Sequence, residues 1–211
     1  MKINIPTKIT IARIILTGLL LVGLFVAYCA GLNGWRDQQL FEHGPYLVGL
    51  LAAIVFVIAS ATDALDGHLA RKWKQVTNLG KFLDPIADKM LVNSLLVFAA
   101  VPMAFMPNQM TIPWFCVVLM IIRDLIVDTM RLMAAKKNIV VPANIFGKLK
   151  TVFQMVAIPV ILLNGFPFSF FDDGWHPLLR IGSWLIYLAT AMSLVSGLIY
   201  VKANWSVLKE D

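Results

Sequence analysis

YLVGLLAAIVFVIASATDALDGHLAR, residues 46–71, holds the transition that decides the fold. From Tyr46 to Thr62 no side chain is charged. A helix crosses the hydrocarbon core of a bilayer with about 20 mostly apolar residues. The run then meets Asp63 and Asp66, three apart and so on one helix face. Gly67, His68, Ala70 and Arg71 follow at once. A bilayer tolerates ionisable groups poorly, so carboxylates ending such a run mark function.

Five further apolar runs flank this one, at 9–30, 84–105, 111–134, 146–163 and 178–201, with 46–62 as the second of six. The whole chain agrees with them. Of 211 residues, 59% are hydrophobic and 14% charged, against about 45–50% and about 25% in soluble domains. The mean hydropathy is +0.79. No long linker, low-complexity tract or internal repeat divides the chain, so a single domain, 1–211, is expected. The first run is too long for a cleaved signal peptide and is read as a retained helix. The fold class expected is all-α: a polytopic membrane bundle of six transmembrane helices. Cys29 and Cys116 lie in apolar runs and read as small apolar side chains.

Lys and Arg mark the cytoplasmic side of a membrane protein. They gather before the first run (Lys2, Lys8), after the second (Arg71, Lys72, Lys74, Lys81), around the fourth-to-fifth connection (Lys136, Lys137, Lys148, Lys150) and in the tail (Lys202, Lys209). The opposite connections hold Arg36 and Arg180, and 101–110 has no charge. Both termini are therefore expected in the cytoplasm. The net charge of +6 suits anionic head groups or a phosphate-bearing substrate. Nucleic acid is disfavoured, because no basic stretch is interleaved with solvent-facing aromatics. Near the start, Thr7 is expected to cap the first helix behind Pro6.

After eight intervening residues beyond Arg71 the chain reads Gly80-Lys-Phe-Leu-Asp84-Pro-Ile-Ala-Asp88. Asp84 and Asp88 are four apart, again on one helix face, and Asp84 before Pro85 has the form of an N-cap. A short connection makes the second and third helices expected neighbours whose acidic faces meet. Four crowded carboxylates repel, and either protonation or a divalent cation relieves them. Oxygen ligands without Cys or paired His suit Mg²⁺ or Mn²⁺. Gly67, Ala70 and Gly80 admit close approach of a ligand or of another helix. Arg71 can serve a phosphate, the acidic cluster or topology alone.

The pattern Asp-x2-Asp-Gly-x2-Ala-Arg-x8-Gly-x3-Asp-x3-Asp resembles the signature of the CDP-alcohol phosphatidyltransferase family at all eight specified positions. The chain is also similar to the subgroup that makes phosphatidylglycerophosphate. That similarity rests on Asn4-Ile-Pro6-Thr7 with Thr10 and Arg13, on Gly80 to Lys89, on Ile122-Arg123-Asp124, and on Gly147-Lys148 with Lys150-Thr151. Asp124 departs from the Glu expected there but keeps the carboxylate.

The resemblance implies an enzyme in which an alcohol attacks the β-phosphorus of CDP-diacylglycerol and expels CMP. It assigns one or two Mg²⁺ or Mn²⁺ ions to Asp63, Asp66, Asp84 and Asp88, with Asp88 also the candidate base. It places Gly67, Ala70 and Arg71 at the nucleotide. It further implies a homodimer in a bacterial inner membrane with the site facing the cytoplasm. An anionic acceptor such as glycerol 3-phosphate needs cations, and Arg123, Arg131 and Lys148 are the candidates, with Asp124 and Asp128 spaced to aim the arginines. Competing readings are a relative using another polyol or sugar phosphate, a divalent-cation transporter and a membrane scaffold. Acids confined to one membrane face and the lack of repeated halves disfavour the transporter.

Overall fold

The computed structural model describes residues 4–40, 44–72, 77–103, 105–106, 109–137, 144–172 and 174–205, without the side chains of residues 6, 64–72, 78, 81 and 177. Among the described residues six α-helices follow one another: α1 (Ile5–Leu32), α2 (Leu47–Lys72), α3 (Asn78–Ala100), α4 (Trp114–Lys136), α5 (Ile145–Leu162) and α6 (Ile181–Ala203). Short 3₁₀ turns cover Phe168–Phe170 and Pro177–Leu179. Among the described residues the sole β pairing is an isolated bridge, Gln39 with Tyr46.

Thr7–Leu32, Ile145–Leu162 and Ile181–Ala203 are each long and apolar enough to cross a bilayer, and Leu47–Asp63 is a shorter apolar segment. α3 and α4 match α6 in length but carry charges along it, from Lys81 to Lys89 and from Arg123 to Lys136. The helices form two compact units, Met1–Thr111 with Ile158–Asp173, and Ile112–Ala157 with Gly174–Asp211.

In the first unit α1 packs along both α2 and α3, whereas those two touch each other little. The direct α2–α3 seam expected from the short connection is thus largely replaced by contact through α1. The reason lies in the surface of α1. Thr7, Thr10, Arg13, Thr17 and Leu24 recur at three, four or seven residues and are buried, while Ile15, Leu19, Val22, Phe25 and Val26 on the other side are more than half exposed. Polar groups face inward and apolar ones outward, as a lipid solvent requires.

Three local expectations are corrected. Asn4, not Thr7, occupies the N-cap position of α1, and it makes no side-chain cap bond. Thr7 Oγ1 instead lies 2.8 Å from Thr77 Oγ1. Asp84 does not begin α3: Thr77 caps it, accepting from the Gly80 amide at 3.0 Å, and Pro85 sits inside the helix. α2 holds Asp63 and Asp66 as expected but continues to Lys72, so Arg71 and Lys72, expected in the following loop, are helical.

The far end of this unit is pinned by Asp37, which is buried. Its Oδ2 accepts from the Val48 amide at 2.8 Å, satisfying a donor in the first turn of α2. Its own amide donates to the Phe105 carbonyl at 2.8 Å. Gly49 faces the Leu162 carbonyl so closely that any Cβ would collide with backbone.

In the second unit α4 packs on α6. The buried face of α6 is Gly182, Ser183, Ile186, Ala189, Thr190, Ser193, Ser196, Gly197 and Tyr200. Small residues let helices approach in lipid, so α6 contributes a polar, close-packing stripe where hydropathy alone showed only apolar character.

Candidate active site

The acidic residues are organised by α1. Arg13 Nη1 forms an ion pair with Asp63 Oδ1 of α2. One turn earlier, Thr10 Oγ1 donates to Asp84 Oδ1 of α3 at 2.8 Å. Two positions three apart on one helix therefore hold one carboxylate from each half of the signature. Gly80 completes the seam, since a Cβ there would lie 3.0 Å from Thr77 Oγ1 and 3.3 Å from Thr7 Oγ1. This supports helix approach as the role of that glycine.

Asp88 lies one turn after Asp84 on α3, half-buried. Asp66, Gly67, His68, Ala70 and Arg71 are on the α2 helix, but their side-chain surroundings lie outside the described residues. Among the described residues no three His, Cys, Asp or Glu side chains gather into a metal-binding group. The donor chemistry nevertheless fits a hard divalent cation. Asp63 and Asp84 each have one oxygen fixed by α1, and Oδ2 of each carries no bond among the described residues.

The second unit holds the basic residues. Arg123 donates from Nε to the Ser193 carbonyl at 3.1 Å, from Nη1 to Asp124 at 3.0 Å and from Nη2 to Ser196 Oγ at 2.6 Å. Gly197 makes room for it, because a Cβ there would come within 2.8 Å of Arg123 Cγ. Lys150 is buried and donates to both oxygens of Asp124, at 2.5 and 2.6 Å. Asp124 thus neutralises two cations at once.

The other two expected cations differ. Lys148 is exposed, and Arg131 is exposed with its guanidinium 5.6 Å from the centre of the Tyr200 ring. The buried lysine of α5 is therefore Lys150, for which the sequence left topology and an acceptor-binding role equally open. Asp128 lies half-buried on α4. Sequence reasoning also passed over Ser193 and Ser196, and gave Thr10 and Arg13 no role beyond resemblance. The signal for the latter pair was present: polar residues at 7, 10, 13 and 17 are helix-periodic within an apolar run.

Comparison with known proteins identifies the family. A family model described as CDP-alcohol phosphatidyltransferase matches residues 3–195. A Bacillus subtilis protein named CDP-diacylglycerol–glycerol-3-phosphate 3-phosphatidyltransferase is 35% identical over 207 residues, which cover 98% of this chain and 97% of that one. Relatives with the same name occur in Yersinia pestis, 32% identical over the full length of both chains, and in Mycoplasma pneumoniae, 38% identical over 75% of this chain and 68% of that one. The match runs from α1 into α6, through every element that carries the acidic signature and its α1 supports, and the chain belongs to the CDP-alcohol phosphatidyltransferase family.

Proposed function

We propose that this enzyme transfers the phosphatidyl group of CDP-diacylglycerol to glycerol 3-phosphate, giving phosphatidylglycerophosphate and CMP. The observation that carries the reading is the pairing of Asp63 and Asp84 with adjacent turns of α1, within a chain similar from end to end to relatives bearing that activity's name.

The family generally uses a divalent metal ion. Asp63, Asp66, Asp84 and Asp88 would hold Mg²⁺ or Mn²⁺, which when bound neutralises diphosphate charge and stabilises the departing phosphate. In the reaction, the acceptor hydroxyl oxygen attacks the β-phosphorus of the lipid nucleotide. The new oxygen–phosphorus bond forms as the bond to the α-phosphate bridge breaks, and CMP leaves with that electron pair. Asp88 takes the hydroxyl proton. Gly67, Ala70 and Arg71 would contact the nucleotide.

The acceptor's phosphate would be held by Arg123, whose three internal bonds leave two of its five N–H groups for a ligand. Lys150 and Asp124 fix its position. Arg131 and Lys148 would add positive charge at the surface. Six helices spanning a bacterial inner membrane, with both termini and the site on the cytoplasmic side, would let one single-domain protein meet a lipid nucleotide and a soluble phosphate; two copies would form a homodimer.

An acceptor panel with radiolabelled CDP-diacylglycerol, run with and without EDTA, tests the reading. Glycerol 3-phosphate should give labelled phosphatidylglycerophosphate and stoichiometric CMP, and EDTA should stop both. Preference for inositol phosphate or another polyol phosphate would move the enzyme elsewhere in the family. Absence of CMP release with every acceptor would remove transferase activity altogether.

A further inference from the structure

Arg13 holds one more feature, which the ion pair with Asp63 leaves unused. Its side chain is 2% exposed. Nη1 is on Asp63, but among the described residues Nε and Nη2 are both buried without a hydrogen-bond partner. Those two nitrogens form one edge of the guanidinium plane, the edge that grips a two-oxygen anion through parallel N–H bonds. A buried, unfilled edge of a permanently charged group is costly and calls for an explanation. Thr10 and Arg13 already place Asp84 and Asp63 beside it. The anion that suits an arginine edge next to carboxylates whose chemistry fits a divalent cation is a phosphate, because a shared cation and the arginine would then divide its charge.

We infer that Arg13 binds a diphosphate oxygen pair of the nucleotide-linked lipid through Nε and Nη2, while Nη1 keeps Asp63 in place. The inference rests on the transferase reading and adds to it a contact from α1, an element outside the acidic signature. Lysine retains the charge and can still reach Asp63, but it has no planar edge, so Arg13→Lys separates the two duties.

The test uses the protein in detergent micelles, with inorganic pyrophosphate as the probe and Mg²⁺ at one fixed concentration for both proteins, so that a difference in affinity reports Arg13 alone. Arg13→Lys should bind pyrophosphate about tenfold more weakly, the loss of roughly one charge-assisted bond, and the KM for CDP-diacylglycerol should rise while that for glycerol 3-phosphate holds. Unchanged pyrophosphate affinity overturns the inference. Should the variant not fold, the nitrogen-15 resonance of Arg13 Nε in the wild-type protein decides. A shift on adding pyrophosphate supports the contact. No shift, or a shift with glycerol 3-phosphate alone, overturns it. Wild-type transfer to glycerol 3-phosphate is measured in parallel, so failure of the inference is distinguishable from failure of the transferase assignment.

Discussion

Charge pairing between side chains decides most of what this protein can do. Asp124 is shared by Arg123 and Lys150, and all three side chains are at most 14% exposed. Removing the shared anion takes a counter-charge from two cations at once, whereas removing Lys150 still leaves Asp124 paired with Arg123. Asp124→Asn should therefore destabilise the fold by about 3–5 kcal/mol, the range for breaking a buried pair. Lys150→Met should cost less, and the double variant should be more stable than the sum of the two. Additive losses in thermal melts would refute the shared-anion picture. At Asp88 the expectation is chemical: Asp88→Asn should abolish turnover yet leave CDP-diacylglycerol binding within a few-fold of wild type. Retained turnover would remove Asp88 as the base. These carboxylates could be found in the chain because their spacing is helical and their surroundings apolar. The arginine clasp could not, since Ser193 and Ser196 meet Arg123 only after α4 and α6 have packed.

At the scale of helices, close approach is set by glycines of different kinds. Gly49 faces a backbone carbonyl, which cannot rotate away, while Gly80 faces threonine hydroxyls, which can. Alanine gains about 1 kcal/mol of helix propensity at either site. Gly49→Ala should still cost about 2 kcal/mol net through overpacking. Gly80→Ala should be smaller in stability, and should lower activity by disturbing the Thr77 cap that fixes the start of α3. A Gly80 variant melting below the Gly49 variant would contradict this ordering. The apolar runs located all six helices to within a few residues at most ends. They misplaced the start of α3, because Asp-Pro imitates a helix beginning and Thr77 lay in a polar stretch with no apolar period to flag it. They also hid the mediating role of α1, since hydropathy counts residues without recording which side they face.

For the molecule as a whole, charge asymmetry between connections predicts orientation. A phosphatase reporter fused after α6 should be inactive and a cytoplasmic fluorescent reporter bright; the opposite pattern would invert the arrangement and detach the site from its soluble substrates. Length and hydropathy make α1, α5 and α6 long and apolar enough to cross a bilayer, whereas α3 and α4 carry charges that would need shielding there. The inward-facing guanidinium of α1 carries the same need into biogenesis. α1 precedes α2 in the chain, so it leaves the ribosome while Asp63 is still unsynthesised. An unaccompanied arginine at mid-depth costs about 2.5–3.5 kcal/mol on the translocon scale. Arg13 lies about two turns from the helix start, near enough to reach back to the head groups. A nascent chain stalled before α2 should therefore hold α1 shallower in the bilayer than the finished protein does, moving to full depth once Asp63 emerges, which would make the insertion of α1 a two-stage event.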